Sequence, residues 1–360
     1  MKKIKLSKTG RISRGGEFSY ISTGTNQYAV NQEEYYKILD ILSFLKEERT
    51  ETEFNEYVRK NNIDDSFIEQ LRKANMVTKN PLLFEKSETI QFKNDLYLDV
   101  MFDNSYEISK TISEYTFIIV GVGGIGNYIS YALQSFSPKK LILIDGDTIE
   151  LGNLNRQFLF NLADVGSFKT KVLERELKKR NSEIHIQTIE KYCDSSLLEE
   201  VAKTLDIQKS MIILSGDSAS ILEDVTRISM QYNIPFLNVG YLNDISVIGP
   251  FVIPGVSSCP FCFNAYSVED EEQATDVDSA YTLLYNDIDA QSTAPSAFVN
   301  NAIASSMAIV DVLGYVSGDY SRINSLDKRL GLSNRDFERL EIVNTQDTNC
   351  NYCAIARGVE

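Results

Sequence analysis

TFIIVGVGGIGNYISYALQSFSPKKLILIDGDTIELGNLNRQ, residues 116–157, decides the fold. Thr116 to Val120 is a short Ile/Val run of the kind buried in parallel sheets. Gly121, Gly123, Gly124 and Gly126 follow at once. Asn127 to Phe136 then places Ile129, Leu133 and Phe136 on one helical face, and a second apolar strand, Leu141 to Ile144, ends on Asp145. Glycines let a backbone approach a phosphate, and a helix N-terminus offers free N–H groups to an anion. Asp145, with Asp147 close behind, stands where an acid contacts the ribose side of a nucleotide.

A glycine turn of this kind by itself predicts a dinucleotide site. The polar run beyond the second strand points elsewhere. Asn153, Arg156 and Gln157 lie in NLNRQ, and Lys169 lies in the first turn of the next amphipathic helix, Ser167 to Arg180. Arginine forks onto phosphate oxygens and lysine acts as a point charge, a set suited to a triphosphate. Met211 to Leu214 is a further buried strand, and it runs into Asp217. Strand C-termini are where open α/β sheets hold ligands, and magnesium takes one or two carboxylates beside phosphate oxygens, so Asp217 is the expected magnesium ligand.

Two CxxC pairs, Cys259/Cys262 and Cys350/Cys353, read as a closed structural zinc site. Cys193 is left over as a bland packing residue, and the only histidine, His185, is expected on an exposed strand.

The pattern GxGGxG, Asp, NxxRQ and Lys resembles the adenylating domain of the ubiquitin-activating and ThiF-like enzymes, over roughly Tyr97 to Cys353. The resemblance implies ATP or another nucleoside triphosphate, magnesium and zinc as cofactors, a homodimer with composite sites, and Arg156, Lys169 and Asp217 as catalytic groups. The segments NLNRQFLF, LKKRNSEI, LNVGYLNDISVIGP and APSAFVNN look like the microcin C peptide nucleotidyltransferase branch. That branch implies activation of the C-terminal carboxylate of a short ribosomal peptide, succinimide closure and transfer of a nucleotide monophosphate. Ubiquitin-type enzymes carry a thioester cysteine in the segment after the first CxxC; here no cysteine lies between Phe263 and Asn349, so a thioester step is not expected.

The expected fold is α/β, a Rossmann-like mainly parallel sheet with an antiparallel extension. Residues 1–95 form a separate small module, with short strands, helices at Gln32 to Lys46 and Thr52 to Lys60, and a third begun by a Ser66/Glu69 capping box. Strands with three helices resemble the winged-helix-like peptide-recognition domains of peptide-modifying enzymes. Lys86 to Tyr115 reads as a linker and lead-in helix, and residues 96–360 as the adenylation domain. Within it, residues 264–292 are an acidic crossover loop, and Ala294 to Val316 is a long helix.

The net charge of −15 argues against nucleic-acid binding, despite Lys2, Lys3, Lys5, Lys8, Arg11 and Arg14. No signal peptide or membrane-spanning run is read, so a cytoplasmic location is expected. Three rivals share part of the pattern: adenylation of a ubiquitin-like sulfur carrier for thiamin or molybdopterin synthesis, an NAD-dependent dehydrogenase, and an inactive scaffold. The dehydrogenase leaves Arg156, Lys169, Asp217 and the cysteines idle, and an inactive half would have lost its phosphate contacts.

Overall fold

The computed structural model describes residues 3–16, 18–22, 24–79, 82–84, 86, 88–102, 104–216, 219–262 and 294–358. The expected crossover loop and Asp217 lie outside them. The chain divides into two compact units, Met1–Lys110 and Thr111–Glu360.

The first unit holds strands β1 (Lys3–Leu6), β2 (Ile12–Arg14), β3 (Ser19–Ile21), β4 (Tyr28–Val30), β5 (Arg49–Thr50) and β6 (Val77–Thr78). Its helices are α1 (Gln32–Phe44), α2 (Glu51–Lys60), α3 (Asp65–Lys73) and α4 (Phe92–Met101), with α5 (Ser105–Glu114) at its boundary. β5-β1-β6 and β2-β3-β4 are two small antiparallel sheets. Ile38, Ile41, Phe54, Ile68 and Leu71, at helical spacing, fill the core between α1, α2 and α3.

Two expectations need correction here. The cap of α3 is Asp64, whose carboxylate accepts the Ser66 N–H at 2.7 Å, so Ser66 lies inside the helix. An aspartate two residues ahead competes better for the same orphan N–H groups than the serine does. The segment read as a linker and lead-in helix holds two helices. Buried Asp95 on α4 accepts from Phe84 N at 2.8 Å and from Ser109 Oγ at 2.6 Å, which ties both helices into the first unit and moves the boundary past residue 95. Lys3 and Lys5 lie in a strand and pair with Glu48 at 3.0 and 3.5 Å, which offsets the basic character of the N-terminus.

The second unit is built on one eight-stranded sheet. Its strands are β7 (Thr116–Val120), β8 (Lys140–Ile144), β9 (Ile186–Ile189), β10 (Ser210–Leu214), β11 (Phe236–Leu242), β12 (Ile245–Val252), β13 (Lys328–Ser333) and β14 (Arg339–Val343). The order is β14-β13-β12-β11-β10-β7-β8-β9. β11 to β9 run parallel, and β12, β13 and β14 continue antiparallel. β7 and β10 are buried throughout, which their unbroken apolar runs require. Chain direction reverses its progress across the sheet between β7 and β10, the switch point where such folds bind ligands.

Helices α6 (Gly124–Ser135), α7 (Lys169–Lys178), α8 (Ser195–Ala202), α9 (Ala219–Tyr232), α10 (Phe298–Val316) and α11 (Asn351–Arg357) cover the sheet. α6 begins inside the glycine turn, earlier than its apolar pattern indicates, because glycines at its first turn carry no apolar signal. α10 is long and apolar enough to cross a membrane, but Ala304, Ala308, Val312 and Leu313 are buried in the core. Asp311 on α10 is wholly buried. Its carboxylate accepts from Asn324 N (2.8 Å), Asn324 Nδ2 (2.9 Å), Ser325 N (2.8 Å) and Ser325 Oγ (2.6 Å), fixing the approach to β13. Asp311→Ala strands four donors and is expected to cost on the order of 3 kcal/mol. Calorimetry should show Tm falling by about 6–12 °C.

Candidate adenylation site

The glycine turn is held from both sides. At Gly121 the backbone takes φ +84°, a conformation only glycine adopts freely, and its N–H donates to Ile144 O at 2.9 Å. A Cβ on Gly126 would lie 2.1 Å from Gly121 O, so the first turn of α6 presses directly on the loop. Ser215, after β10, donates its hydroxyl to Gly121 O at 2.6 Å. Asp145 accepts Val122 N–H at 2.8 Å and Asp147 N–H at 2.9 Å. The expected ribose ligand thus also braces the loop, each oxygen keeping a further lone pair. Burial raises the Asp145 carboxyl above its usual range, against the Asp147 N–H, the Lys169 charge and the Val122 N–H.

No side chain caps α6; Gly123 stands at the N-cap position. A Cβ there would meet only Gln157 Nε2, at an ordinary 3.7 Å. Protein packing therefore explains the glycine at 126 and leaves 123 open to a ligand. A cavity of about 790 Å³ opens here. It is lined by Gly121, Gly123, Gly124, Asp145, Asp147, Asn153, Arg156, Gln157 and Lys169. The structure thus brings together nearly every predicted nucleotide residue. Asn153 uses its Oδ1 to accept Glu150 N–H at 3.0 Å, bracing the loop. Arg156 Nη1 donates to Gly152 O and Asn155 Oδ1 at 3.2 and 2.9 Å, bending the side chain over the loop. Among the described residues, the buried Gln157 has no partner for its Oε1.

Lys169, the first residue of α7, is 7% exposed, and its Nζ donates to Asp147 Oδ2 at 2.6 Å. Burial alone would raise the Asp147 carboxyl. Hydrogen bonds from Lys169 and Tyr192, with the lysine's charge, outweigh it and hold that carboxyl below the usual range. Tyr192 was not legible as a site residue: its hydroxyl donates to Asp147 Oδ1 at 2.8 Å from a loop after β9, with nothing local to mark it. Asn238, Gly240 and Arg329, also on the cavity wall, come from the antiparallel side and were likewise missed. So was Asn301 on α10, whose Oδ1 packs so closely on Gly124 that a Cβ there would lie 2.2 Å away. The wall carries three acids (Asp145, Asp147, Glu150) and three bases (Arg156, Lys169, Arg329), far less acidic than a chain of net charge −15. An anion is tolerated here and, by the same count, gains from a bound cation.

The four predicted cysteine ligands converge. Cys259, Cys262, Cys350 and Cys353 are buried, and their sulfurs all lie within 4.8 Å of one another. The pairs 259/262, 259/350 and 262/353 are 3.9, 3.5 and 3.6 Å apart. A tetrahedral zinc with Zn–S bonds of about 2.3 Å requires S···S near 3.8 Å, so the cluster fits zinc. Cys350 caps α11 and Cys353 lies in its first turn, so the metal would pin the last helix to the CxxC turn after β12. Cys193 is outside this cluster, and burial pushes its thiol up to about 12, which removes it as a nucleophile. His185 is exposed, as expected, but it lies just ahead of β9 and not on the strand.

A glycine turn, a helix N-terminus and two cations facing one cavity suit a nucleotide, and the chain as a whole resembles known proteins. The ThiF family profile matches residues 98–352. The chain belongs to the ThiF family. Its architecture matches E. coli MccB crystallised with MccA-N7isoASN, with a TM-score of 0.81 and 26% identity over 98% of this chain and 99% of that one. MccB crystallised with ATP matches at a TM-score of 0.78 and 26% identity, with the same coverage. Among curated proteins, SUMO-activating enzyme subunit 2 of Dictyostelium discoideum is 31% identical over 134 residues, 36% of this chain and 20% of that protein. The sulfur carrier protein ThiS adenylyltransferase of E. coli is 24% identical over 148 residues, 40% of this chain and 56% of that protein. The chain thus spans from a fifth to just over half the length of these two curated relatives.

Two glycine variants separate packing from ligand contact. Gly126→Ala should lower Tm, because the clash is with backbone. Gly123→Ala should fold normally and weaken ATP binding by about tenfold or more, the value of one charge-assisted hydrogen bond, measured by titration calorimetry. Cys350→Ser should lose the metal, which elemental analysis would otherwise find at about one zinc ion per chain, and should lower Tm.

Proposed function

We propose that the chain uses ATP to activate the C-terminal carboxylate of a short ribosomal peptide. The observation that carries this reading is the extent of the likeness to MccB. It runs through both units, whereas the curated ThiS adenylyltransferase aligns with 40% of the chain. MccB has been crystallised with MccA and with ATP.

A carboxylate oxygen attacks the α-phosphorus and pyrophosphate leaves, giving an acyl-adenylate. The side-chain amide nitrogen of a terminal asparagine then attacks the acyl carbon, expelling AMP and closing a succinimide. That nitrogen in turn attacks the α-phosphorus of a second nucleotide, with loss of another pyrophosphate, to give a nitrogen–phosphorus bond. Such transfers need in-line positioning and charge neutralisation more than proton transfer. Arg156 and Lys169 supply cations; Lys169 exchanges its Asp147 partner for phosphate oxygens. Gln157, with its amide turned, donates to a phosphate oxygen, and Asn153 keeps the loop in shape; Asp217 would be the residue to hold magnesium, which would offset phosphate charge. The N-terminal unit takes the peptide as an added strand on a sheet edge. The enzyme works as a homodimer in the cytoplasm, apart from membranes and nucleic acids.

The second reading is adenylation of a ubiquitin-like sulfur carrier, which the alignment with the ThiS adenylyltransferase favours. Mass spectrometry separates the two. Incubation of a peptide ending in asparagine with enzyme, magnesium, ATP and CTP should add a nucleotide monophosphate to the peptide. An unchanged peptide, with pyrophosphate exchange driven only by a carrier ending in Gly-Gly, would establish the second reading instead. Under either, Arg156→Ala and Lys169→Ala should each cost about 2.7–4 kcal/mol of transition-state stabilisation, a hundredfold to a thousandfold in rate. A near-normal exchange rate in either variant removes that residue from the mechanism.

A further inference from the structure

Both carboxylate oxygens of Asp147 are engaged by side chains. Lys169 Nζ donates to Oδ2 at 2.6 Å and the Tyr192 hydroxyl to Oδ1 at 2.8 Å. The two donors differ in kind: one brings a charge, the other brings none. They also differ in how they are held. Lys169 reaches Asp147 from the first turn of α7 on a flexible stem. Tyr192 sits on a short span that is fixed at both ends. Ile189 O, at the end of β9, accepts Asp145 N–H at 3.2 Å, and Asp194 caps α8 by accepting Leu197 N–H at 2.8 Å. Between them Cys193 packs against the core.

The tyrosine is also seated on the loop that carries Asp147. A Cβ on Gly146 would lie 2.7 Å from Tyr192 N and 3.0 Å from the ring atoms Cγ and Cδ2. Gly146 has no positive φ, so it is the approach of Tyr192 that calls for glycine there. On the adenylation reading, on which this inference rests, Lys169 leaves Asp147 for phosphate oxygens. That move would strand a carboxylate anion beside an arriving triphosphate, with Asp145 two residues away. An anion so placed is costly unless a hydrogen bond still favours its charged form. The Tyr192 hydroxyl is such a bond, and it lies on the oxygen that the lysine does not use.

We propose that Tyr192 is a positioning residue for Lys169, acting through Asp147 and not on the nucleotide. In the empty site the phenol shares the Asp147 charge. Two donors on one carboxylate weaken each other, so the lysine's hold is loosened. In the filled site the phenol stays on Oδ1 and supports the carboxylate that the lysine has left. No proton moves: Lys169 remains an ammonium and Asp147 a carboxylate throughout. A cation at 192 would itself be drawn to the phosphates, whereas a neutral donor is not. Tyr192 thus lowers the cost of bringing Lys169 onto the phosphates, and it does so whichever acyl substrate the enzyme takes.

The test is titration calorimetry of the full chain with a non-hydrolysable ATP analogue and magnesium, run as a cycle of Tyr192→Phe and Lys169→Ala. Phenylalanine keeps the ring on Gly146 and removes only the hydroxyl, so Tm should not move. Tyr192→Phe is expected to weaken the analogue by about threefold to tenfold, the net worth of one hydrogen bond. In the Lys169→Ala background there is no lysine to release, and the same change should alter affinity by less than about twofold. Asp147→Asn, which removes the charge that holds the lysine, is a second background with the same expectation. In the pyrophosphate exchange assay the loss should fall on KM for ATP rather than on kcat, because the hydroxyl acts on binding. A tyrosine that touched the nucleotide directly would lose the same factor in every background, and that result overturns the assignment. So does unchanged affinity in Tyr192→Phe, or a loss carried by kcat alone. Failure of the adenylation reading looks different: the unaltered chain then binds no analogue, and the assignment falls with it.

Discussion

One carboxylate holds the nucleotide cavity in shape. Asp145 ends β8 and accepts N–H groups from both the glycine turn and the following loop. It does so partly buried, where ionisation is disfavoured, and two backbone donors and the nearby Lys169 charge work against that penalty. Because the same loop carries Asp147, the brace also sets where Lys169 is held and where Tyr192 docks. A change at Asp145 would therefore be felt at the glycine turn and at the cation together, since each is positioned through it.

The site is also assembled against the charge of the whole chain. A protein of net charge −15 repels a triphosphate, so its cations must be held locally. Lys169 is held against Asp147, which neutralises its charge. Arg156 is braced by neutral groups, Gly152 O and Asn155 Oδ1, and keeps its charge uncompensated by those bonds. The cysteine cluster and Asp311 do structural work of a similar kind. Each gathers segments distant in sequence, one through four thiols and the other through one buried carboxylate, and together they secure the approaches to the antiparallel strands that complete the cavity.

Much of this was legible in the chain itself. β7, β8 and β10 are apolar runs between breaks, and a strand buried on both faces has no other composition available. The glycine turn, Asp145, NLNRQ and Lys169 lie within one stretch, so their spacing limits where they can go. The cysteines were legible because CxxC places two thiols on one turn and a tetrahedral metal needs two such turns. Errors fell where local signals compete or vanish. Asp64 displaced Ser66 as a helix cap, and where α4 and α5 stand only one helix after a linker was read, because a mixed polar surface hides their inward contacts, above all Asp95.

The sequence by itself determined the Rossmann-like core, the polar residues gathered at the glycine turn and the cysteine pairs, because each depends on neighbours within a few residues or on a fixed repeat. Only the tertiary structure decided that Tyr192 joins Asp147, that Asn301 presses on Gly124, and that Gly331 packs on Ile245. It alone placed Arg329 on the cavity wall. Those relations depend on strand order and on which face of a ladder a residue occupies. A one-residue change of register reverses every face, and nothing local in the chain records which register long-range pairing selects.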